Sequence, residues 1–261
     1  MGTWRMGEAA SQRSAEITAL QHGLDLGITL IDTAEMYGEG GAEKVITEAI
    51  ESRRSSAFIV SKVYPHNASR QGAIAACERS LKRLKTDYLD LYLLHWRGSV
   101  PLSETLEAFQ TLKQAGKIRD YGVSNFDVTD LQKAADLPGG DAIATNQVLY
   151  NLMRRGVEWD LLPWCRQNSL PIMAYSPVEQ GRLLTHRTLQ QIAQQRGVTP
   201  AQVAIAWLLH QENVIVIPKS SSIAHVEENY ATLDLQLSPE DLSALDNTFP
   251  PPAKRVALEM L

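Results

Sequence analysis

Cysteine is nearly absent from this chain: 261 residues contain two, Cys77 and Cys165. They lie far apart, form no CxxC pair and have no metal-type spacing with histidine, so a disulfide framework is not what organises the fold. His22, His66, His186, His210 and His225 show no HExxH or related ligand spacing, and no metal site is expected. Basic charge is not in excess either. With 25 Lys and Arg against 30 Asp and Glu the formal net charge is -5, and the chain carries no field suited to a nucleic-acid backbone. No apolar run approaches the ~18 residues of a membrane span, and the opening MGTWRMGEAA lacks the regions of a signal peptide. The expected compartment is the cytoplasm, with neither membrane nor nucleic acid as a partner.

Hydrophobic residues make up 44% and charged residues 21%, the composition of a folded globular protein. Short β-rich runs alternate with helical patterns along the whole chain, the signature of repeated βα units on a parallel sheet. Ser14 to Leu26 reads as a helix with Ile17, Leu20 and Leu24 on one face and Gly27 as its stop, followed by a strand over Leu30-Ile31-Asp32-Thr33. A helix from Ala42 leads to the strand Phe58 to Lys62. The spacing of Ile74, Cys77, Leu81 and Leu84 predicts a helix before the strand Leu89 to His95, and Leu106, Phe109 and Leu112 do so before Tyr121 to Ser124. Further strands are predicted at Ala144 to Val148, Ile172 to Ser176 and Val214 to Ile217. A last helix starts behind Ser238, with Asp241 in the N3 position, and the prolines at 250, 251 and 252 end the pattern.

Seven βα units without a linker predict a single α/β domain over residues 1–261, a (β/α)8 TIM barrel rather than an open doubly wound sheet. The count is one strand short. Gly2-Thr3-Trp4 reads as the tip of a first strand, so an N-terminal hairpin and most of strand 1 are expected to be missing, leaving an unpaired edge.

The predicted strands end in polar residues: Asp32, Lys62, His95, Ser124 with Asn125, Gln147, Tyr175 and Lys219. Barrel strands run in one direction, so these side chains converge on the C-terminal mouth, where barrel active sites lie. Asp32 and Lys62 each follow an apolar run, and pairing them lowers the cost of burying either charge. On position alone, a structural ion pair is as good a reading as a functional one. Tyr37, in the loop after Asp32, shifts the balance, because a phenol beside an ammonium suits proton donation to a carbonyl oxygen. His95 alone reads as a core histidine; beside the other three it can orient a carbonyl. Gly38, Gly40 and Gly41 do not complete GxGxxG, since Glu43 stands in the last position. Ile217-Pro218-Lys219-Ser220-Ser221-Ser222 opens a helix with a Lys, hydroxyls and backbone N–H groups together, which suits phosphate or a plain Ser-capped helix.

Five segments then resemble the aldo-keto reductase superfamily over essentially the whole chain: Ile31 to Gly38, Leu91 to Trp96, Gly122 to Phe126, Asn146 to Asn151 and Ala174 to Pro177. Gly2 to Glu8, Val63-Tyr64-Pro65 and Leu161 to Cys165 are most similar to short bacterial members described as methylglyoxal reductases. The resemblance implies NADPH-dependent reduction of small aldehydes or ketones, with Tyr37 as general acid, Lys62 and Asp32 tuning it and His95 orienting the substrate. Trp4, Tyr64 and Trp96 would wall the substrate pocket, unless they are core residues. For NADPH it implies Ser124, Asn125 and Gln147 at the nicotinamide amide, Tyr175 under the ring, and Ser176, Pro177, Val178 and Gly181 along the diphosphate. Ile217, Lys219, Ser220 and His225 would meet the 2'-phosphate region and Glu228 and Asn229 the adenine, with Gly2, Thr3 and Trp4 also at the cofactor. His225 stands where many members carry Arg, so Lys219 is expected to carry the NADPH preference. A monomer is expected. Two rivals remain: a barrel that binds NADPH as a sensor without turnover, and an isomerase- or aldolase-type barrel using Lys62 as a Schiff-base amine.

Overall fold

The computed structural model describes residues 1–261, and the chain divides into two compact units. The first comprises residues 1–146 with 219–226, and the second 147–218 with 227–261. The seven strands lie in one sheet in chain order. No helix is long and apolar enough to cross a membrane.

In the first unit, β1 (Leu30–Asp32), β2 (Phe58–Val63), β3 (Leu89–Leu94) and β4 (Ile118–Ser124) follow one another with α1 (Arg13–Asp25), α2 (Gly41–Ile50), α3 (Arg70–Leu84), α4 (Leu102–Gln114) and α5 (Val128–Ala135). Each strand pairs in parallel with the next: Asp32 lies opposite Val60, Lys62 opposite Leu93 and Leu93 opposite Gly122. Parallel strands covered on both faces read as continuous apolar runs, which is why Ile59-Val60 and Leu91 to Leu94 are buried throughout. α3 buries Ala73, Ala76, Cys77, Ser80, Leu81 and Leu84, a single helical stripe, behind Ser69, whose side chain accepts from the Gly72 N–H. Gly122 has a packing reason: a Cβ there would stand 2.7 Å from the Thr145 carbonyl oxygen and 2.9 Å from Leu93 Cδ2.

The expected unpaired edge is partly closed. Gly2 bridges in parallel to Asp32 on one side and to Lys219 on the other. Asp32 donates its N–H to the Met1 carbonyl at 2.8 Å, and Thr3 donates its N–H to the Asp32 carbonyl at 3.0 Å. The first strand is missing as expected except for one bridging residue, which satisfies the outer backbone groups of β1.

β5 (Ile143–Leu149) begins in the first unit and ends in the second. The second unit holds β6 (Ile172–Tyr175) and β7 (Val214–Val216), paired in parallel, with α6 (Leu161–Gln167), α7 (Arg187–Arg196), α8 (Pro200–Leu209), most of α9 (Ile223–Ala231) and α10 (Pro239–Thr248). Two capping boxes start its helices: Thr199 with Gln202 for α8, and Ser238 with Asp241 for α10. The second is the cap anticipated from the sequence.

Glu43 is the buried tie of the first unit. From α2 it accepts the Ser61 hydroxyl of β2 at 2.9 Å and pairs with Arg83 of α3. Replacing it with alanine strands a guanidinium and a hydroxyl, and urea unfolding of Glu43→Ala is expected to show a loss of about 3 kcal/mol. Lys113→Ala, at an exposed pair with Asp120, is expected to cost under about 1 kcal/mol.

Candidate active site

The strand register places the reactive groups of the first unit. Lys62 lies two residues beyond Val60, the partner of Asp32, and so on the same face of the sheet, one pleat further along. Its fully buried side chain donates to Asp32 Oδ2 at 2.8 Å, to the Thr33 carbonyl at 2.8 Å and to the Tyr37 phenolic oxygen at 3.3 Å. An ammonium has three N–H donors, and each has an acceptor here. Burial lowers the Lys62 pKa, and the Asp32 carboxylate opposes that shift.

Tyr37 is carried by a tight turn, with Gly38 and Glu39 both left-handed. Burial, and then the charge of Asp32, push its phenol well above its ordinary value. The ammonium at 3.3 Å does not reverse this shift in the resting site, so Tyr37 is held protonated. An acid must hold its proton until the acceptor arrives, and the ammonium then stabilises the phenolate left behind.

His95 follows β3. Its ring centroid is 5.8 Å from that of Tyr37 and 4.8 Å from that of Trp96, and its Nδ1 is buried without a hydrogen-bond partner. Burial, and then the charge of Lys62, push its pKa down to about 2. The imidazole is therefore neutral and can donate from one nitrogen only. Tyr64 stands edge-on to Trp96 at 5.8 Å and faces His95 at 6.5 Å. Both aromatics are half-buried. Trp4 is 37% exposed beneath the Arg5 guanidinium.

Asn125, left-handed at φ 59°, donates to the His95 carbonyl at 3.0 Å and to the Ser124 hydroxyl at 3.1 Å. Asn146 fixes the following loop, donating to the Phe126 carbonyl at 2.8 Å. Lys219 and His225 are exposed, with Ser220 half-buried between them. Ser220 Oγ accepts from the Ser222 N–H at 3.0 Å just before α9.

In the second unit Gln147 is buried, with its amide 3.8 Å from Met173 Sδ. Tyr175 ends β6 and Ser176 follows at φ 52°. Glu179, Gln180 and Gly181 are left-handed in turn, at φ 49°, 55° and 90°. Glu228 and Asn229 lie half-buried on α9, and Gln202 donates to the Glu228 carbonyl at 3.0 Å. Sequence reasoning missed the Thr33 carbonyl, because any residue can supply it. It also missed buried Glu35, which accepts from the Tyr64 N–H at 2.9 Å and from Asn67 at 3.0 Å, and Glu179. No group of three or more His, Cys, Asp or Glu is placed to hold a metal.

The aldo/keto reductase family profile matches residues 1–248. The chain belongs to the aldo-keto reductase family. It is 54% identical over 265 residues to methylglyoxal reductase YeaE of Escherichia coli (strain K12), covering all of this chain and 93% of that relative. Glyoxal reductase of Bacillus subtilis (strain 168) is 38% identical over 224 residues, covering 84% of this chain and 78% of the relative. The crystal structure of an aldo-keto reductase from Klebsiella pneumoniae in complex with NADPH superposes with a TM-score of 0.98 at 52% identity, over all of this chain and 94% of that one. The α/β barrel read from the sequence is the fold of this reductase family.

The lowered His95 pKa has a consequence for stability. Between about pH 6.5 and 2 the unfolded chain binds a proton at this residue and the folded chain does not, so stability falls as pH drops through that window. The slope contributed is at most about 1.4 kcal/mol per pH unit. Urea unfolding at pH 7 and pH 5 is expected to show His95→Gln losing less stability on acidification than the parent.

Proposed function

We propose that the chain catalyses NADPH-dependent reduction of small aldehydes and ketones, of the methylglyoxal or aromatic-aldehyde kind, to alcohols. The observation that carries this reading is the buried Lys62 ammonium, hydrogen-bonded to both Asp32 and the Tyr37 phenol. That arrangement stabilises a phenolate at the one tyrosine positioned to lose a proton. The relatives YeaE, a methylglyoxal reductase, and the B. subtilis glyoxal reductase support the substrate class.

The residues present fit the cofactor. An exposed lysine beside Ser220 to Ser222 at the start of α9 suits a phosphate monoester. We assign Lys219, Ser220, Ile217 and His225 to the 2'-phosphate region, Glu228 and Asn229 to the adenine, and Ser176, Pro177, Val178 and Gly181 to the diphosphate. Ser124, Asn125 and Gln147 are assigned to the nicotinamide amide, Tyr175 to its ring, and Gly2, Thr3 and Trp4 to the cofactor's flank. When bound, NADPH supplies the hydride. Neutral His95 donates a hydrogen bond to the substrate carbonyl, Tyr37 gives its proton to the same oxygen, and Lys62 with Asp32 holds the charge that develops on the phenol. Tyr64, Trp96 and Trp4 wall the substrate. The family profile running through residues 1–248 without interruption supports treating the chain as one barrel domain.

The Schiff-base alternative conflicts with the geometry, because Lys62 is fully buried and each of its donors is engaged. The sensor alternative has no observation in its favour.

The decisive test follows NADPH absorbance with methylglyoxal or 4-nitrobenzaldehyde. Tyr37→Phe, with its fold confirmed by circular dichroism, is expected to lose roughly 10²- to 10⁴-fold in kcat; undiminished turnover removes Tyr37 as the acid. A separate comparison of NADH with NADPH tests the 2'-phosphate assignment. His225 is exposed and stands where many family members carry Arg, so the preference for NADPH is expected to be small and to vanish in Lys219→Ala. A large preference surviving that substitution contradicts the assignment.

A further inference from the structure

Glu179 is a fully buried carboxylate remote in sequence from the catalytic groups, and its surroundings are built around it. Asn151 donates to Oε2 at 2.7 Å, while Arg154 at 3.0 Å and Arg182 at 2.6 Å both donate to Oε1. Burial alone would raise the Glu179 pKa, but the hydrogen bonds from Asn151, Arg154 and Arg182 outweigh it and hold the group below its ordinary value. The charge is satisfied within the protein, so Glu179 is not itself a ligand-binding group.

What it holds is a segment of unfavourable backbone. Ser176, Glu179 and Gln180 all adopt left-handed φ without being glycine, and Gly181 continues the run. Side chains disfavour that conformation, and it persists where surrounding contacts impose it. Asn151 clamps both ends of the turn, since the amide that meets Glu179 also donates to the Ser176 carbonyl at 2.9 Å. Arg154 carries the connection onward, pairing through its other terminal nitrogen with Glu259 at 2.5 Å. Two residues later, the Leu261 N–H lies 3.4 Å from the Tyr175 hydroxyl.

We propose that Glu179 is a positioning residue for the cofactor diphosphate, and that Arg154 extends its hold to the C-terminal segment through Glu259, so that the shaped loop and the docked tail retain the cofactor together. This rests on the assignment of residues 176–181 to the diphosphate. The carboxylate fixes the loop backbone in its left-handed conformation, in which the Glu179 and Gly181 N–H groups close the turn on the Ser176 and Val178 carbonyls, and so sets the shape of the diphosphate site. The tail contact secures Arg154 on the side away from the loop.

The test is NADPH binding by fluorescence titration and dissociation by stopped flow, on the full chain with its melting temperature recorded. Glu179→Gln keeps the shape and removes the charge, and it is expected to weaken NADPH by about tenfold, through faster dissociation, with the KM for aldehyde unchanged. Adenosine 2'-monophosphate, which lacks the diphosphate, is expected to bind the variant and the parent equally. Glu259→Gln, on the exposed side of Arg154, is expected to speed NADPH dissociation with no change in melting temperature, and it decides the matter if Glu179→Gln does not fold. Equal weakening of both ligands by Glu179→Gln overturns the proposal, as does unchanged NADPH dissociation in Glu259→Gln. A parent chain that binds adenosine 2'-monophosphate but not NADPH refutes the diphosphate assignment instead.

Discussion

A buried lysine ammonium is the constraint on which the site depends. Lys62 has no exposed surface, and an unpaired charge in that position would be strongly destabilising. The protein surrounds it with a carboxylate, a backbone carbonyl and a phenol. The Lys62–Asp32 ion pair, at 2.8 Å, is the electrostatic platform of the site. Tyr37 lies at the edge of that platform. Its phenol keeps its proton in the resting protein and gains a stabilising neighbour when the proton leaves.

The scaffold makes this possible by register. Asp32 and Lys62 belong to adjacent parallel strands, and the pairing of Asp32 with Val60 brings the lysine stem back over the carboxylate. A slip of one residue would turn Lys62 to the opposite face of the sheet. Glu43 and Arg83 secure the helices behind that register, and Gly122 allows β4 to approach Leu93 and the Thr145 backbone. The neutral state of His95 follows from the same source, because burial and the Lys62 charge both oppose protonation there.

Much of this was legible in the sequence, and for physical reasons. Strands buried on both faces leave uninterrupted apolar runs, so the polar residues ending them stood out, and Asp32, Lys62 and His95 were found that way. The capping pair Ser238 and Asp241 was readable because a cap is a local interaction. Four features were not. The Thr33 carbonyl is backbone and carries no residue signature. The bridge of Gly2 to Asp32 and Lys219 depends on three segments meeting, so the expectation of a bare edge was too severe. Glu179 carries no sequence signal, since its partners Asn151 and Arg154 lie about a strand and a helix earlier and no periodicity links them. The direction of the Tyr37 shift also escaped, because an adjacent ammonium points one way and burial, with Asp32, points the other and prevails.

The central claim is that the Asp32–Lys62 charge pair, and not merely the shape of the pocket, enables Tyr37 to act. Its most direct test is kcat in the double variant Asp32→Asn, Lys62→Met, which removes both charges together and strands neither. With folding and NADPH affinity retained, kcat is expected to fall by roughly 10²- to 10⁴-fold. A double variant that folds, binds NADPH and reduces aldehyde at close to the parent rate contradicts the account.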